Sequence, residues 1–133
     1  MAQPQPLFDY VGHLPECPTW SDAEQALYWA DILECEIHRY DTRNKEHQVL
    51  QFPEEVGCFA LREKGGFIVA LRSGIWLCDA RGLLQRKICD NPSNPDLARF
   101  TTAVPIGMAV FTQGPSGGRG ITMARCWCVL ITT

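Results

Sequence analysis

The sequence predicts an all-β fold built from repeated four-stranded units, and three observations carry this prediction. Short runs rich in β-branched and aromatic residues alternate with turn-forming clusters between residues 16 and 89. The runs begin about every 8–12 residues, a spacing that is typical of sandwiches, barrels and propellers. The pattern also repeats with an offset of about 40 residues, which is within the range of a four-stranded propeller blade.

Eight strands are predicted in chain order, at residues 17–20, 26–31, 36–40, 47–51, 57–61, 67–71, 75–79 and 84–88. Clusters of Gly, Asp, Asn, Ser and Lys separate them, and these residue types favour turns. Residues 21–29 contain several helix formers, but a second strand-like run follows at once. We therefore interpret this stretch as a turn and a strand.

The repeat is visible in the order of its motifs. The first unit runs from Glu16-Cys-Pro-Thr-Trp20 through Leu27-Tyr-Trp29 to Asp41, and the second from Gly57-Cys-Phe-Ala-Leu61 through Phe67-Ile-Val69 to Asp79. In each unit an Asp closes the third strand and opens a turn. The sequence thus predicts about two blades before residue 100.

Charge divides the chain at Phe100. All 15 acidic residues and 10 of the 12 basic residues precede this position, and residues 101–133 hold only Arg119 and Arg125. A folded domain rarely loses its charged surface so abruptly. We therefore divide the chain into residues 1–100, which carry the blades, and residues 101–133, an off-pattern tail that we expect to be irregular.

The composition excludes several classes of protein. A formal net charge of −3 gives no reason to expect nucleic acid or an anionic membrane as a partner. No apolar run approaches the roughly 20 residues of a membrane span, and the N-terminus lacks a secretion signal. Seven cysteines at wide spacing do not predict a disulfide framework. We expect a cytoplasmic protein.

Taken in order, the motifs resemble the gluconolactonase and senescence-marker-protein (regucalcin-like) family. The resemblance covers residues 8–100 and rests on Glu16-Cys-Pro-Thr-Trp20, Leu27-Tyr-Trp-Ala-Asp-Ile32, Ile37-His-Arg-Tyr-Asp41, Val69-Ala-Leu-Arg72 and Leu97-Ala-Arg-Phe100. It implies the N-terminal part of a six-bladed β-propeller. It also implies a hydrolase that opens small sugar lactones with the help of a divalent cation, most often calcium.

The resemblance assigns two site residues in this chain. Glu16 matches the first-blade carboxylate that binds the cation, and Arg99 matches an arginine that contacts the substrate. The family's later Asn and Asp ligands have no counterpart here, so no catalytic residue is assigned. Because a lone carboxylate makes a poor calcium site, we expect weak cation binding and negligible lactone hydrolysis from this chain.

Two departures from the family pattern bear on these expectations. The family has Gly where this chain has Cys17, in an E-G-P-x-W motif, so the local backbone could differ. The family also continues after Arg99-Phe100 as N-D-G-x-x-D-x-x-G-R-x-x-x-G-T, whereas this chain continues Thr101-Thr102-Ala103.

A missing base explains the second departure. If one base is restored after the Phe100 codon, the shifted frame can read NDGRTDRHGRFYTGT, which matches every defined family position. Some codons are forced: Met108 followed by Ala109 must give Gly, and Cys126-Trp127-Cys128 must give Leu-Val. Our hypothesis is that residues 101–133 are translated out of frame.

Other interpretations remain open. The chain could be a non-catalytic propeller fragment that acts as a binding or scaffold module, for which a stoichiometric partner in a pull-down would be the discriminating observation. An enzyme completed by oligomerisation is disfavoured, because no copy would carry the missing Asn and Asp. His13, His38 and His47 are spread too widely to predict a metal cluster, and we expect His38 to face solvent.

Overall fold

The described part of the chain is composed of β-strands joined by turns. The computed structural model describes the backbone of residues 2–62, 65–91, 99–104, 109–113 and 119–121, and the side chains of residues 2–62 and 65–91. These segments form two four-stranded antiparallel sheets and one three-stranded sheet. Within them, no helix is long and apolar enough to cross a membrane.

The first two sheets confirm the predicted all-β fold and its repeat. The first sheet contains β1 (Pro15–Ser21), β2 (Ala26–Asp31), β3 (Glu36–Asp41) and β4 (Glu46–Gln51). The second contains β5 (Val56–Leu61), β6 (Phe67–Leu71), β7 (Gly74–Cys78) and β8 (Leu84–Asp90). In both sheets the strands lie in chain order. Each of the eight predicted strands overlaps an observed one.

A third sheet follows the two four-stranded sheets and includes strands beyond residue 100. It contains β9 (Arg99–Val104), β10 (Ala109–Gln113) and β11 (Arg119–Ile121), and β9 lies next to β5 of the second sheet. The strands are rich in Thr, Val and Phe, which favour extended backbone whatever the origin of the sequence. The rest of the tail lies outside the described residues.

The main hydrophobic core lies between the first two sheets. The first sheet contributes Ala26, Tyr28, Ala30 and Ile37, and the second contributes Val56, Phe59, Phe67, Val69, Leu71 and Cys78. The Tyr28 and Phe67 rings meet edge to face with centroids 5.6 Å apart, which is a favourable aromatic geometry. The two sheets therefore pack face to face, and their first strands, β1 and β5, lie side by side.

Matching turns close the third strand of each sheet, as the repeat predicts. The Asp41 carboxylate accepts a hydrogen bond from the Arg43 backbone N–H at 2.9 Å. The Asp79 carboxylate accepts equivalent bonds from Arg81 at 2.9 Å and from Leu83 at 3.0 Å. Each aspartate thus satisfies the backbone of the turn that follows it.

The opposite face of the first sheet, which we call the outer face, carries Trp29, His38, Tyr40 and His47. Residues 2–14, which we call the N-terminal segment, cover it. Phe8 stacks on Tyr40 with ring centroids 4.6 Å apart, and Tyr10 packs on the rings of Trp29 and His38.

The prediction that His38 faces solvent is wrong, since it is only 3 % exposed. The alternation of polar and apolar residues along β3 suggested one wet face. Tyr10 of the N-terminal segment packs on His38 with ring centroids 4.9 Å apart and shields it from solvent.

Candidate functional site

Glu16 lies at the start of β1, opposite Ala30 of β2, where the strand is irregular. The pairing of β1 with β2 shifts register between Glu16 and Thr19. At Cys17 the backbone adopts φ = 58°, the left-handed region that most residues avoid. The bulge therefore interrupts the strand directly after the Glu16 carboxylate.

Two hydrogen bonds hold the bulge in place. The Cys17 thiol donates to the Phe59 carbonyl oxygen at 3.6 Å, and the Thr19 hydroxyl donates to the Cys17 carbonyl oxygen at 3.2 Å. The first of these connects the two sheets. Glycine adopts this left-handed conformation without strain, whereas Cys17 holds it at a cost of about 1 kcal/mol.

The Glu16 side chain is half-buried, and among the described side chains it has no hydrogen-bond or ion-pair partner. It lines a cavity of about 420 Å³ together with Tyr10, Leu27 and Trp29. A half-buried carboxylate without a partner is costly, so an oxygen ligand for a cation is a chemically reasonable use of this position.

Several carboxylates lie at the end of the first sheet where β1 begins. Glu34 and Cys35 lie at this end in the turn between β2 and β3. Glu54 and Glu55 lie at the same end, between β4 and β5. Burial raises the pKa of the Cys35 thiol, and the neighbouring carboxylates, of which Glu55 contributes most, raise it further. Two of these carboxylates already have ion-pair partners, Glu55 in Arg72 at 2.8 Å and Glu34 in His13.

The described residues do not complete a calcium site by themselves. Calcium takes about six to eight oxygen ligands, and within residues 2–62 and 65–91 no group of three ligating side chains comes together. Arg99, the predicted substrate contact, begins β9 opposite Gln113, but its side chain lies outside the described residues. The structure therefore places Glu16 and the Arg99 backbone, and among the side chains it describes no second ligand lies beside Glu16.

Sequence reasoning missed the role of Asp31, which anchors the N-terminal segment beside this cavity. Its carboxylate accepts hydrogen bonds from the backbone N–H groups of His13 at 2.8 Å and Leu14 at 3.0 Å, and from the Tyr10 hydroxyl at 3.0 Å. Burial acts to raise the pKa of Asp31, but these bonds outweigh it and hold the pKa below the usual value. A charged residue ending the apolar run of β2 was the available signal.

Two stacked four-stranded meanders, with their first strands side by side and a third sheet beginning next to them, define a segment of a β-propeller. Residues 14–112 match the family model described as the SMP-30/gluconolactonase/LRE-like region. The chain belongs to this family, as its motifs indicated.

Curated relatives in this family carry names of lactonases and of regucalcin. A 6-deoxy-6-sulfogluconolactonase from Pseudomonas putida is 58 % identical over 87 residues, which is 65 % of this chain and 30 % of the relative. The putative sugar lactone lactonase YvrE from Bacillus subtilis is 30 % identical over 88 residues, 66 % of this chain and 30 % of the relative. Regucalcin from Xenopus laevis is 29 % identical over 83 residues, 59 % of this chain and 28 % of the relative. The chain spans less than a third of the length of these relatives.

Solved structures support the same fold. A regucalcin from Agrobacterium tumefaciens, described as a calcium-binding protein, superposes with a TM-score of 0.69 at 25 % identity, over 79 % of this chain and 37 % of that structure. A luciferin-regenerating enzyme superposes with a TM-score of 0.68 at 22 % identity, over 80 % of this chain and 38 % of that structure.

Proposed function

We propose that this chain carries the first blades of a divalent-metal-dependent sugar-lactone hydrolase, with Glu16 as the first metal ligand and Arg99 as a substrate contact. The observation that carries the proposal is the Glu16 carboxylate at the start of β1, half-buried and without a partner among the described residues. Opening a lactone needs an electrophile for the developing oxyanion and a positioned proton acceptor. A cation supplies the first, and calcium suits a carboxylate oxygen such as that of Glu16.

The substrate class follows from the relatives. One that is 58 % identical to this chain is named for a six-carbon sugar lactone that carries a sulfonate, and another is named as a sugar lactone lactonase. We infer that the intact lineage of this chain opens lactones of hexonic acids, and that an anionic group on carbon 6 is compatible with its site.

The 133-residue chain by itself is proposed to be inactive. A cation on the axis of a propeller needs oxygen ligands from several blades, and this chain offers Glu16 from one of them. Within residues 2–62 and 65–91 no second and third ligating side chain joins it. A scaffold role has no observation of its own in its favour, because open sheet edges are equally expected from an incomplete propeller.

A reading-frame change at Phe100 accounts for the composition of the tail in this proposal. The restored frame places Asn directly after Phe100, as the family pattern requires. The nucleotide sequence of the gene tests this point: one base away from the present frame, it should encode N-D-G followed by the rest of the family motif. A coding sequence without that continuation in either alternative frame would contradict the hypothesis.

A chimera tests the lactonase function of the two blades. We would replace the first 87 aligned residues of the Pseudomonas putida sulfogluconolactonase with the matching segment of this chain. Because Glu16 then meets the relative's later blades, calcium-dependent hydrolysis of gluconolactone should be retained within about tenfold, a loss of about 1.4 kcal/mol in transition-state stabilisation.

The matched variants of this chimera are Glu16→Gln and Glu46→Gln. The first removes the proposed ligand charge and should lower kcat/KM by about 100-fold or more, whereas the second changes an exposed glutamate of β4 and should leave it unchanged. A folded chimera in which Glu16→Gln retains full activity would refute the role of Glu16.

A further inference from the structure

The N-terminal segment is held against the first sheet by two contacts of different chemistry. At residues 13 and 14 the backbone N–H groups donate to the Asp31 carboxylate. At residue 8 the Phe8 ring lies between the rings of Tyr40, at a centroid distance of 4.6 Å, and His47, at 4.8 Å. The second contact therefore depends on the state of a titratable ring.

His47 is hydrogen-bonded to a second histidine beneath the segment. Nε2 of His47 lies 2.8 Å from Nδ1 of His38, and Nε2 of His38 lies 3.0 Å from the Glu36 carboxylate. The two imidazole rings stack with centroids 5.1 Å apart and also stack on Trp29. His38 is almost fully buried, while His47 is exposed at one side.

The chain of contacts determines where the protons sit. A carboxylate only accepts, so Nε2 of His38 carries a hydrogen and donates it to Glu36. Neutral His38 then presents a bare Nδ1, and Nε2 of His47 donates to it. One added proton is accommodated, because a singly charged pair can keep one hydrogen between the rings.

A second proton cannot be accommodated in this geometry. Both facing nitrogens, Nδ1 of His38 and Nε2 of His47, would then carry hydrogens across 2.8 Å, and two positive charges would lie in one stack. The two facing hydrogens would clash and the like charges would repel, because one of the two rings, His38, is buried although His47 is exposed. The rings must separate, and Phe8 then loses its contact with the His47 ring.

The charged and titratable groups around the pair do not cancel this effect. Glu36 neutralises one positive charge but not two. From the N-terminal segment the Tyr10 hydroxyl donates to Asp31, the His13 side chain pairs with Glu34, and Asp9 is exposed. Tyr40 on β3 and Asp31 on β2 complete the titratable groups of the outer face among the described residues.

We propose that the His38–His47 pair is a proton-operated clasp for the N-terminal segment: the segment stays docked while the pair shares one hydrogen and is released when both rings are charged. Release uncovers Trp29 and Tyr40 and opens the cavity beside Glu16. The clasp is independent of the lactonase proposal, because it concerns the docking of residues 2–14 and not the reaction.

The direction of the pH dependence follows from His47. Burial, together with the charge of His38, lowers the pKa of His47 below its usual value of 6.5, and Glu36 partly opposes this shift. The docked state thus binds the proton less well than the released state. Docking is fully stable above pH about 6.5 and weakens as the pH falls below it.

Hydrogen exchange of the 133-residue chain tests the clasp. The His13 and Leu14 amides donate to Asp31 when the segment is docked, and Asp31 stays ionised down to below pH 4 because its pKa is lowered. We expect the protection factors of both amides to fall at least tenfold between pH 7.0 and pH 4.5. Unchanged protection across this range would overturn the proposal.

Two variants separate the pair from other histidines. His47→Gln keeps an N–H donor for His38 but cannot take a proton, so its amides should keep their protection at pH 4.5. His13→Gln removes an exposed histidine that pairs with Glu34, and it should lose protection as the unmodified chain does. If His47→Gln loses protection to the same extent as the unmodified chain, the clasp is refuted.

A measurement on the unmodified chain covers the case in which His47→Gln does not fold. In ¹⁵N-histidine NMR the pair should titrate in two macroscopic steps, and loss of amide protection at residues 13 and 14 should coincide with the second step. Loss that accompanies the first step, or a single shared step, would contradict the proton count on which the proposal depends.

Discussion

The two complete sheets build the same four-stranded meander with different turns. In the first sheet the last residue of each hairpin turn is Gln25, Cys35 or Lys45, with φ of 53°, 59° and 60°. In the second sheet Gly66 and Gly82 adopt φ of 80° and 82°. A non-glycine residue in this region costs roughly 1 kcal/mol, so the first sheet carries strain that the second avoids.

The outer surfaces of the sheets differ as well. The surface of the first sheet is aromatic and is covered by the N-terminal segment, with Phe8 and Tyr10 packed on Trp29 and Tyr40. The corresponding surface of the second sheet is a small cluster of Cys58, Ala70 and Ile75, and β9 lies beside its first strand. The comparison shows that blades of one topology differ most where they meet different neighbours.

A substitution in the core between the two sheets should have the largest effect on stability. Phe67 is 2 % exposed and packs edge to face on Tyr28 and Phe59. Phe67→Ala should lower the free energy of unfolding by about 3–5 kcal/mol, as measured by urea denaturation. Leu83→Ala, at a position that is 60 % exposed, should change it by less than about 0.5 kcal/mol. Similar losses for both variants would contradict a core between the sheets.

Substitution of two adjacent glycines in the second sheet distinguishes the steric cost of an added Cβ from the conformational cost of a positive φ. A Cβ at Gly66 would lie 2.3 Å from the Cys78 carbonyl oxygen, whereas a Cβ at Gly65 would meet nothing within 4 Å. Gly66→Ala should destabilise the chain by about 2–3 kcal/mol, and Gly65→Ala by about 1 kcal/mol for the positive φ alone. Equal thermal-melt shifts for the two variants would argue against the close approach.

Asp31 anchors the covering of the first sheet, and its charge makes that sheet sensitive to acid. Asp31→Asn should lower the free energy of unfolding by about 1–3 kcal/mol, because all three donors lose the charge of their acceptor and those at one of the two oxygens face an amide NH2 group instead. The folded-state pKa of Asp31 is lowered, so its contribution is full above pH about 4 and is lost as the pH falls further.

The control for this prediction is Asp9→Asn, an exposed position in the same segment. Unfolding free energies measured between pH 5 and pH 2 should show a shallower acid slope for Asp31→Asn than for Asp9→Asn. Parallel slopes would mean that another carboxylate controls the acid transition.

Relieving the strain in a turn of the first sheet should raise stability slightly, whereas the substitutions above lower it. Lys45 is exposed and has φ of 60°, so Lys45→Gly should raise the free energy of unfolding by about 0.5–1 kcal/mol. Lys45→Ala keeps a Cβ in the left-handed region and should give no gain. A loss of stability in Lys45→Gly would show that the turn carries no strain.

Much of the fold could be predicted because clusters of turn-forming residues, which are unfavourable within strands, mark the ends of most strands. The offset between Asp41 and Asp79 indicated the repeat, and the turns confirm it. The face of His38 could not be predicted, since period-two alternation does not reveal that a distant segment covers the polar face. No strand was assigned beyond residue 100, because the loss of charged residues at Phe100 guided the interpretation of the tail and the β propensity of its Thr and Val residues did not.

The candidate site was predictable only in part. The motif around Glu16 indicated the carboxylate. Cys17 in place of the family's Gly left the local backbone open, and the structure shows a positive φ there. The anchoring by Asp31 and the His38–His47 contact depend on pairings across strands and with residues 8–14. Such pairings between distant residues leave little periodic signal in a single sequence.

The most direct test is to measure hydrolysis of gluconolactone by the purified 133-residue chain, first with calcium and then with excess chelator. It shows whether the proposed metal ligand of one blade is enough for catalysis. With Glu16 as its lone proposed ligand, the chain should open the lactone no faster than buffer does, and chelator should change nothing. Turnover at an ordinary enzymatic rate of about 1–1000 per second, abolished by chelator and restored by calcium, would contradict the account.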